Sequence, residues 1–537
     1  MNKYIQNVRY NKIYYYDRFC NVPFRDLKIK DNGDIYFCAW SDQNGMPPLG
    51  NIFKTKNLIR DIWNGNMAKQ FRESVLNGSF KFCGDYCCHL ISGTGPVSIK
   101  NDKAKILNDY FTQGINEHEH KCIENKITTL ENYPINLTLA TSSKCNLKCT
   151  SCRSDFITKD SKTEEEWKLL ETRRMQFLEN AETIFLGSYG EITVNELDTK
   201  MLRNYIEKEL KNIKSIVIQT NGVLFTKEYW EKINDFIKRK ITRIEISVDA
   251  ATEKTYDINR PGGNWKKLWE NIEFLSKLQK TWIQLNFVVQ NNNYVEIIPF
   301  IKLARQYGVM VHFQLLYNWG TYSKDEFNER DVLNPSHYNY NDLLKRLLCE
   351  EFAGNNVIND LALGNNFNNE LLKYKNICRK KADLPFSVYS HQKQCGYKLM
   401  GEKNGISLLI DNHCYDKEGF YVMRLHSKGN ESWAGIYFLA SEIFALNDRS
   451  KSIEFINASK IKFVLKASKN IFINEIGFGE KTDSHHASIK DVEIGMEYCN
   501  YEIDLKEKNL SDINGLFYIS TKSNFEWDIF IKEITIY

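Results

Sequence analysis

No apolar run in the 537 residues approaches the roughly 20 needed to cross a bilayer as a helix. The first residues, Met1-Asn2-Lys3-Tyr4-Ile5, are polar and lack the apolar h-region of a secretory signal, so a cytoplasmic protein is expected. An excess of one charge is also missing. The net charge is +4 with the signs interspersed, which gives no reason to expect nucleic acid or a membrane surface as partner. Low-complexity tracts and internal repeats are absent beyond an alternation described below. At this length about two to four domains are expected of a soluble globular chain.

Cysteine is not scarce. In a reducing compartment fourteen cysteines are a poor disulfide framework, so metal binding or burial must account for them. Nine fall into two groups, namely Cys20, Cys38, Cys83, Cys87 and Cys88, then Cys122, Cys145, Cys149 and Cys152. The scattered remainder (Cys349, Cys378, Cys395, Cys414, Cys499) reads as small buried hydrophobes.

Three regions differ in texture. Residues 1–125 are cysteine-rich, and the alternating runs on either side of Asp31-Asn32-Gly33 predict a hairpin over 27–38. In 126–395 strand-like and helix-like segments alternate. Strands are predicted at 135–140, 183–186, 215–219, 243–248, 283–289 and 311–316. Trp265, Leu268, Trp269, Ile272 and Leu275 mark one intervening helical face, and Tyr229, Ile233 and Phe236 another. Six βα units in succession predict an α/β fold, a partial or full parallel barrel. In 396–537 strand-length segments at 461–465, 471–478, 501–505, 516–520 and 527–537 predict an all-β sandwich.

Cys145-Asn-Leu-Lys-Cys149-Thr-Ser-Cys152 follows the first barrel strand. Barrel chemistry sits at the carboxyl ends of the strands, where a loop can place three thiolates on one rim. Soft thiolates suit an iron–sulfur cluster, and three of them leave one iron of a [4Fe–4S] cluster open to another ligand. Zinc is the competing occupant, but it favours a closed set of four ligands and this is a single triple.

This Cx3Cx2C run resembles the signature of the radical S-adenosylmethionine (SAM) superfamily. One departure is Ser151, where relatives often carry an aromatic residue. Later strand ends carry similar landmarks in order. Gly187-Ser-Tyr-Gly190-Glu191 resembles the Gly-Gly-Glu motif that receives the SAM amino group, and Gln219-Thr-Asn221-Gly222 resembles the family's Thr-Asn-Gly. Ser247-Val-Asp249 lies where relatives contact the ribose and carboxylate. Tyr256-Asp-Ile-Asn-Arg260-Pro-Gly262-Gly263 is similar to a run of SPASM-type members, which implies that Arg260 clamps the SAM carboxylate. The resemblance covers about 134–345. It implies a partial (βα)6 TIM-like barrel that binds a [4Fe–4S] cluster with an open iron site through Cys145, Cys149 and Cys152, and SAM through Gly190, Glu191, Asn221, Ser247, Asp249 and Arg260.

Cys20, Cys38, Cys83 and either Cys87 or Cys88 form a second thiolate set. It resembles the SPASM and twitch domains, which hold an auxiliary [4Fe–4S] cluster; zinc would fit the same four thiolates. Here the set precedes the barrel, whereas in most relatives it follows. Cys122 is left as a ligand, a spare or a hydrogen donor. The C-terminal region resembles galactose-binding-like jelly rolls found as carbohydrate-binding modules, with Trp433, Trp527 and His485-His486 as visible candidates, each weighed against a plain core or loop role.

The resemblance implies an enzyme in which a reduced cluster cleaves SAM to methionine and a 5′-deoxyadenosyl radical that abstracts hydrogen from a substrate C–H. It also implies a one-electron reductant such as flavodoxin or ferredoxin. Three readings divide the substrate question. A sugar, aminocyclitol or glycan intermediate is oxidised or epimerised, with Cys122, Cys349 or Cys378 as candidate hydrogen donors in the second case. A ribosomal peptide is modified, as by many SPASM enzymes. Or the chain is a zinc-stapled binding protein without catalysis. The sandwich tail favours the sugar, by fold analogy alone.

Overall fold

The computed structural model describes residues 18–38, 46–83, 117–371 and 384–537, the last two stretches with short interruptions. Cys87, Cys88, Cys378, Cys395 and His485 lie outside the described residues, as does the side chain of Trp433.

Six strands run parallel in sequence order: β4 (Asn136–Ala140), β5 (Thr183–Leu186), β6 (Ser215–Thr220), β7 (Ile241–Ser247), β8 (Trp282–Val288) and β9 (Met310–Gln314). The predicted six-unit βα barrel is therefore present. β5 and most of β7 alternate, whereas β8 and β9 are buried along almost their whole length. On β7, Ile244 and Ile246 are buried in the core, while Arg243, Glu245 and Ser247 on the opposite face are partly exposed. Registers such as Leu186↔Ile218 and Ile218↔Ile244 align the apolar rows on which the helices pack.

The sheet is wider than the sequence suggests. β10 (Val357–Asn359) adds parallel to β9 at one edge. At the other edge β1 (Asp26–Lys30) adds parallel to β4, with Leu27 opposite Leu137 and Ile29 opposite Leu139. The predicted hairpin then continues the sheet through β2 (Asp34–Tyr36) and β3 (Gly50–Asn51), turning at Gly33 with φ +80°. One apolar cluster runs from Phe19 to Leu371 without a break. The described part of the cysteine-rich segment, residues 18–38 and 46–83, is thus built into the barrel's sheet and core.

Local chemistry explains the helix boundaries. Thr163 and Glu166 form a capping box on helix Glu164–Leu178, and Asn264 caps helix Trp265–Ser276, whose Leu268, Trp269, Ile272 and Leu275 are buried as expected. The face marked by Tyr229, Ile233 and Phe236 is divided between two short helices, Lys227–Glu231 and Asp235–Lys240. Asn234 breaks the helical run and its side chain accepts from Phe236 N at 2.8 Å.

Asp198, on helix Glu196–Asn204, is fully buried 3.7 Å from Arg174 and accepts from Asn195 Nδ2 at 2.6 Å. Burial pushes its carboxyl up to about 7 against the pull of Arg174. In the unfolded chain it titrates near about 3.9. Between those values the folded state binds the extra proton, so stability falls as pH rises from about 4 to about 7 and is flat above, by at most about 4 kcal/mol. Asp198→Asn should flatten that part of the urea-midpoint profile against pH.

From Phe386 the chain is antiparallel β. One sheet contains Phe386–Ser390, Leu408–Tyr415, Tyr421–Ser427, Lys460–Ala467, Cys499–Asp504 and Trp527–Ile536. The other contains Gly396–Gly401, Glu431–Leu439, Ile471–Phe478, Ala487–Ile494 and Gly515–Ser523. Inward residues of both, among them Leu425, Phe463, Ile529, Ile436, Ile476 and Phe517, share a second apolar cluster. The expected sandwich is present. It begins about ten residues earlier than 396, because Phe386–Ser390 already pairs with its last strand. No helix among the described residues is long and apolar enough to cross a membrane.

Candidate active site

The loop after β4 carries the three cysteines and is held at both ends. Cys145 N donates to Ile157 O at 2.9 Å. Lys148 N and Thr150 N donate to Pro261 O and Asn259 O at 3.0 and 3.1 Å, which ties the loop to the segment after helix Glu253–Asn259. Glu191 N donates to Lys144 O at 2.9 Å from the loop after β5. Gly190 (φ +115°) makes this approach possible, since a Cβ there would lie 2.5 Å from Ser142 O and 2.8 Å from Lys144 O. The expected motifs at the ends of β4 and β5 and after β7 thus meet around one loop.

The three thiols are unbridged, with Cys145 buried, Cys149 half-buried and Cys152 exposed. Burial is the largest cause of the shifts at Cys145 and Cys149, with a smaller contribution from the neighbouring thiols. It pushes Cys149 up to about 11 and Cys145 upward. Yet no three His, Cys, Asp or Glu among the described residues stand close enough to hold a single metal ion. Each thiol also faces its own donor. Asn221 Nδ2 lies 4.0 Å from Cys145 Sγ, Arg260 donates to Cys149 Sγ at 3.5 Å and Arg153 to Cys152 Sγ at 3.4 Å. Donors aimed at sulfur, and a buried Arg260 Nε–H with no acceptor, suit an anionic sulfur-rich group.

The residues expected to hold SAM are differently engaged. Glu191 is buried, which raises its carboxyl, and it accepts from Thr193 N, Thr193 Oγ1, Thr220 Oγ1 and Asn221 N at 3.2, 2.9, 2.7 and 2.7 Å. It braces the ends of β5 and β6. Asn221 also donates to Asn146 Oδ1 at 2.8 Å, reaching the cysteine loop. Arg260, expected to clamp the SAM carboxylate, is held by Asp249 at 2.6 Å in a buried ion pair. Burial works against its charge, and Asp249 and Cys149 more than restore it, so the guanidinium is held above its ordinary range. Asp249 sits at φ +59°, an unusual conformation for a side-chain-bearing residue, and accepts from Val288 N at 2.7 Å. Ser247 ends β7, partly exposed.

Sequence reasoning passed over Arg153, whose only signal was its place beside the third cysteine. It also passed over the polar residues at alternate strand positions opposite the helices. Arg243 pairs with Glu245 at 2.9 Å, and Gln284 Nε2 donates to Asn286 Oδ1 at 2.7 Å. His312 meets Asp360 at 2.9 Å. Arg, Glu and Ser at 243, 245 and 247 could have been read as a period-two polar face.

In the N-terminal set, Cys20, Cys38 and Cys83 are half-buried. Phe37 and Phe82, each immediately before a cysteine, both pack on Phe71 at the middle of helix Asn66–Leu76, with centroids 5.3 and 5.5 Å away. Cys122 is fully buried on helix Glu117–Asn125, away from solvent, and Cys349 precedes helix Glu350–Ala353. An open cleft of about 750 Å³ lined by Lys56, Arg60 and Lys69 lies among the segments around 56–69 and 129–133, and none of the residues expected to bind SAM lines it.

Comparison with known proteins agrees with this geometry. Residues 139–316 match the radical SAM superfamily and residues 20–89 the SPASM iron–sulfur cluster-binding domain. A probable GTP 3′,8-cyclase of Methanococcus maripaludis is 25% identical over 178 residues, covering 32% of this chain and 56% of the relative. The antilisterial bacteriocin subtilosin biosynthesis protein AlbA of Bacillus subtilis is 26% identical over 205 residues, covering 38% and 42%. The chain thus spans about half the length of the curated relatives it matches. Among solved structures, Streptococcus suis SuiB bound to precursor peptide SuiA is similar with TM-score 0.33 and 16% identity over 57% of this chain and 65% of that one. A family 30 carbohydrate-binding module of Clostridium thermocellum gives 0.22 and 12% over 29% and 98%. The radical SAM domain implies a [4Fe–4S] cluster and SAM, and the SPASM domain implies auxiliary iron–sulfur binding. The chain carries a radical SAM domain, preceded by a SPASM-type domain whose strands continue the same sheet.

Proposed function

We propose that this enzyme abstracts a hydrogen atom from a C–H bond of a peptide substrate. The observation that carries the radical chemistry is the cysteine loop at the end of β4, with a separate donor facing each of its three thiols. Bound there, a [4Fe–4S] cluster with SAM supplies the one-electron cleavage that yields methionine and a 5′-deoxyadenosyl radical. Cys145, Cys149 and Cys152 hold the cluster; Glu191 and Asn221 brace the strand ends beside it, and the Asp249–Arg260 pair fixes the opposite wall. The partly exposed Arg243, Glu245 and Ser247 offer polar contacts to substrate below that rim. Cys20, Cys38 and Cys83, with a further thiolate, hold the auxiliary cluster, and a flavodoxin- or ferredoxin-type protein supplies electrons.

The peptide reading rests on AlbA, a relative named for bacteriocin biosynthesis, whose match is longer than that of the cyclases. It displaces the sugar expected from the sandwich. Trp527 is buried in the sandwich core, and ammonium groups cover two further rings, Lys532 3.6 Å over Phe420 and Lys466 4.4 Å over Tyr498. Trp527, one of the aromatics expected to meet a sugar, therefore has no exposed ring to offer.

Anaerobically reconstituted protein, given SAM and a reductant, should release 5′-deoxyadenosine, and pooled peptides should raise that rate where pooled sugars and aminocyclitols do not. Stimulation by sugars alone would defeat the peptide assignment. No release under any condition would defeat the enzyme assignment.

A further inference from the structure

Two guanidiniums reach the cysteine loop from different parts of the chain. Arg153, on the loop itself, donates through one terminal nitrogen to Cys152 Sγ at 3.4 Å and through the other to Ser143 O at 2.7 Å, so it closes the loop on itself. Arg260 donates to Cys149 Sγ at 3.5 Å while Asp249 holds its other terminal nitrogen at 2.6 Å. Asp249 is itself over-determined. Its carboxylate accepts from Val288 N, and its carbonyl accepts from Asn259 Nδ2 and Asn293 Nδ2, both at 3.0 Å. A non-glycine residue at φ +59° persists only where its surroundings fix it, and here they fix the anchor of Arg260.

Resting on the radical SAM reading, we infer that Arg153 and Arg260 are positioning residues that donate cationic hydrogen bonds to two of the three cluster thiolates and so ease the cluster's reduction. Three thiolates bring three negative charges to one rim. Reduction adds one electron from an external one-electron donor, with no protein bond made or broken, and so adds a further negative charge. Net charge and hydrogen bonds to sulfur are among the terms that set iron–sulfur potentials. Arginine stays protonated throughout the physiological range, so the donors persist at any working pH. The third thiolate, Cys145, has neutral donors among the described residues, Leu147 N at 3.4 Å and the Asn221 amide at 4.0 Å. The two cationic hydrogen bonds therefore fall on Cys149 and Cys152.

The test uses the full chain, reconstituted, and follows by electron paramagnetic resonance the reduced signal that responds to added SAM, during a potentiometric titration. Arg153→Gln should lower the reduced-to-oxidised ratio at fixed potential about tenfold, a midpoint about 59 mV more negative. Arg153→Lys keeps the charge and should stay within about threefold of the unsubstituted chain. The SAM-insensitive auxiliary signal should not move in either. A glutamine variant that loads its cluster with an unchanged ratio overturns the inference and leaves the radical SAM reading standing. If the glutamine variant loads no cluster, a lysine variant that loads normally still supports the role of charge, and one equally empty overturns it. An unsubstituted chain that binds no iron at the triple removes the reading on which the inference rests.

Discussion

Cys149→Ala is expected to abolish reductive SAM cleavage and to lower iron from about eight to about four per chain, the auxiliary cluster remaining. The reason is coordination, not folding. Backbone bonds from Cys145, Lys148 and Thr150 to Ile157, Pro261 and Asn259 hold the loop without help from the thiol, so alanine leaves the loop in place with two ligands. Iron analysis and 5′-deoxyadenosine assay of anaerobically reconstituted protein check both halves. Cys20→Ala is the informative partner. It too should lower iron to about four, but it should leave SAM cleavage intact, because its cluster belongs to the other set. If both variants lost cleavage equally, the division of labour between the two thiolate sets would be wrong.

Asp249→Asn is expected to destabilise the barrel by about 3–5 kcal/mol, since it leaves the Arg260 guanidinium buried without its counter-charge. Side-chain exposures of 9% and 2% for the arginine and aspartate put this pair beyond the solvent screening that makes surface ion pairs nearly neutral. Asparagine tolerates the left-handed backbone at 249 and keeps an oxygen for Val288 N, so the loss is of charge and not of shape. Urea unfolding of the cluster-free chain reads the effect. The sandwich has its own core and supplies an internal control whose transition should not shift. Adding Arg260→Met to Asp249→Asn should recover much of the loss, because removing both members of a buried pair costs far less than removing one. A single-variant shift under about 1 kcal/mol would show that the pair is screened after all.

Much of this arrangement was legible in the chain. All six barrel strands lie within about two residues of their expected spans, because apolar rows packed under helices leave a local signature. The Cx3Cx2C triple and the hairpin turning at Gly33 were equally local. What stayed hidden depended on long-range pairing. Nothing near residue 26 announces that β1 will lie beside β4, since Asp26 and its hydrogen-bonded partner Asn136 are 110 positions apart. Arg260 stood out by its motif, but its partners could not be read, since Asp249 and Cys149 reach it only once β7 and β4 are in place. The bonds by which Glu191 ties Thr220 and Asn221 to its own loop were likewise not readable from the motif.

The parallel seating of β1 against β4 bears on how the protein can be cut. A chain begun at residue 117 would be no one-cluster edition of this enzyme. It would carry a barrel whose first strand exposes a raw edge of amide and carbonyl groups, and whose Leu137 and Leu139 have lost Leu27 and Ile29 as neighbours. Such an edge invites pairing between molecules, so shortening from the front would replace a chemical question with an aggregate. In this protein the auxiliary segment also serves as the hem of the barrel.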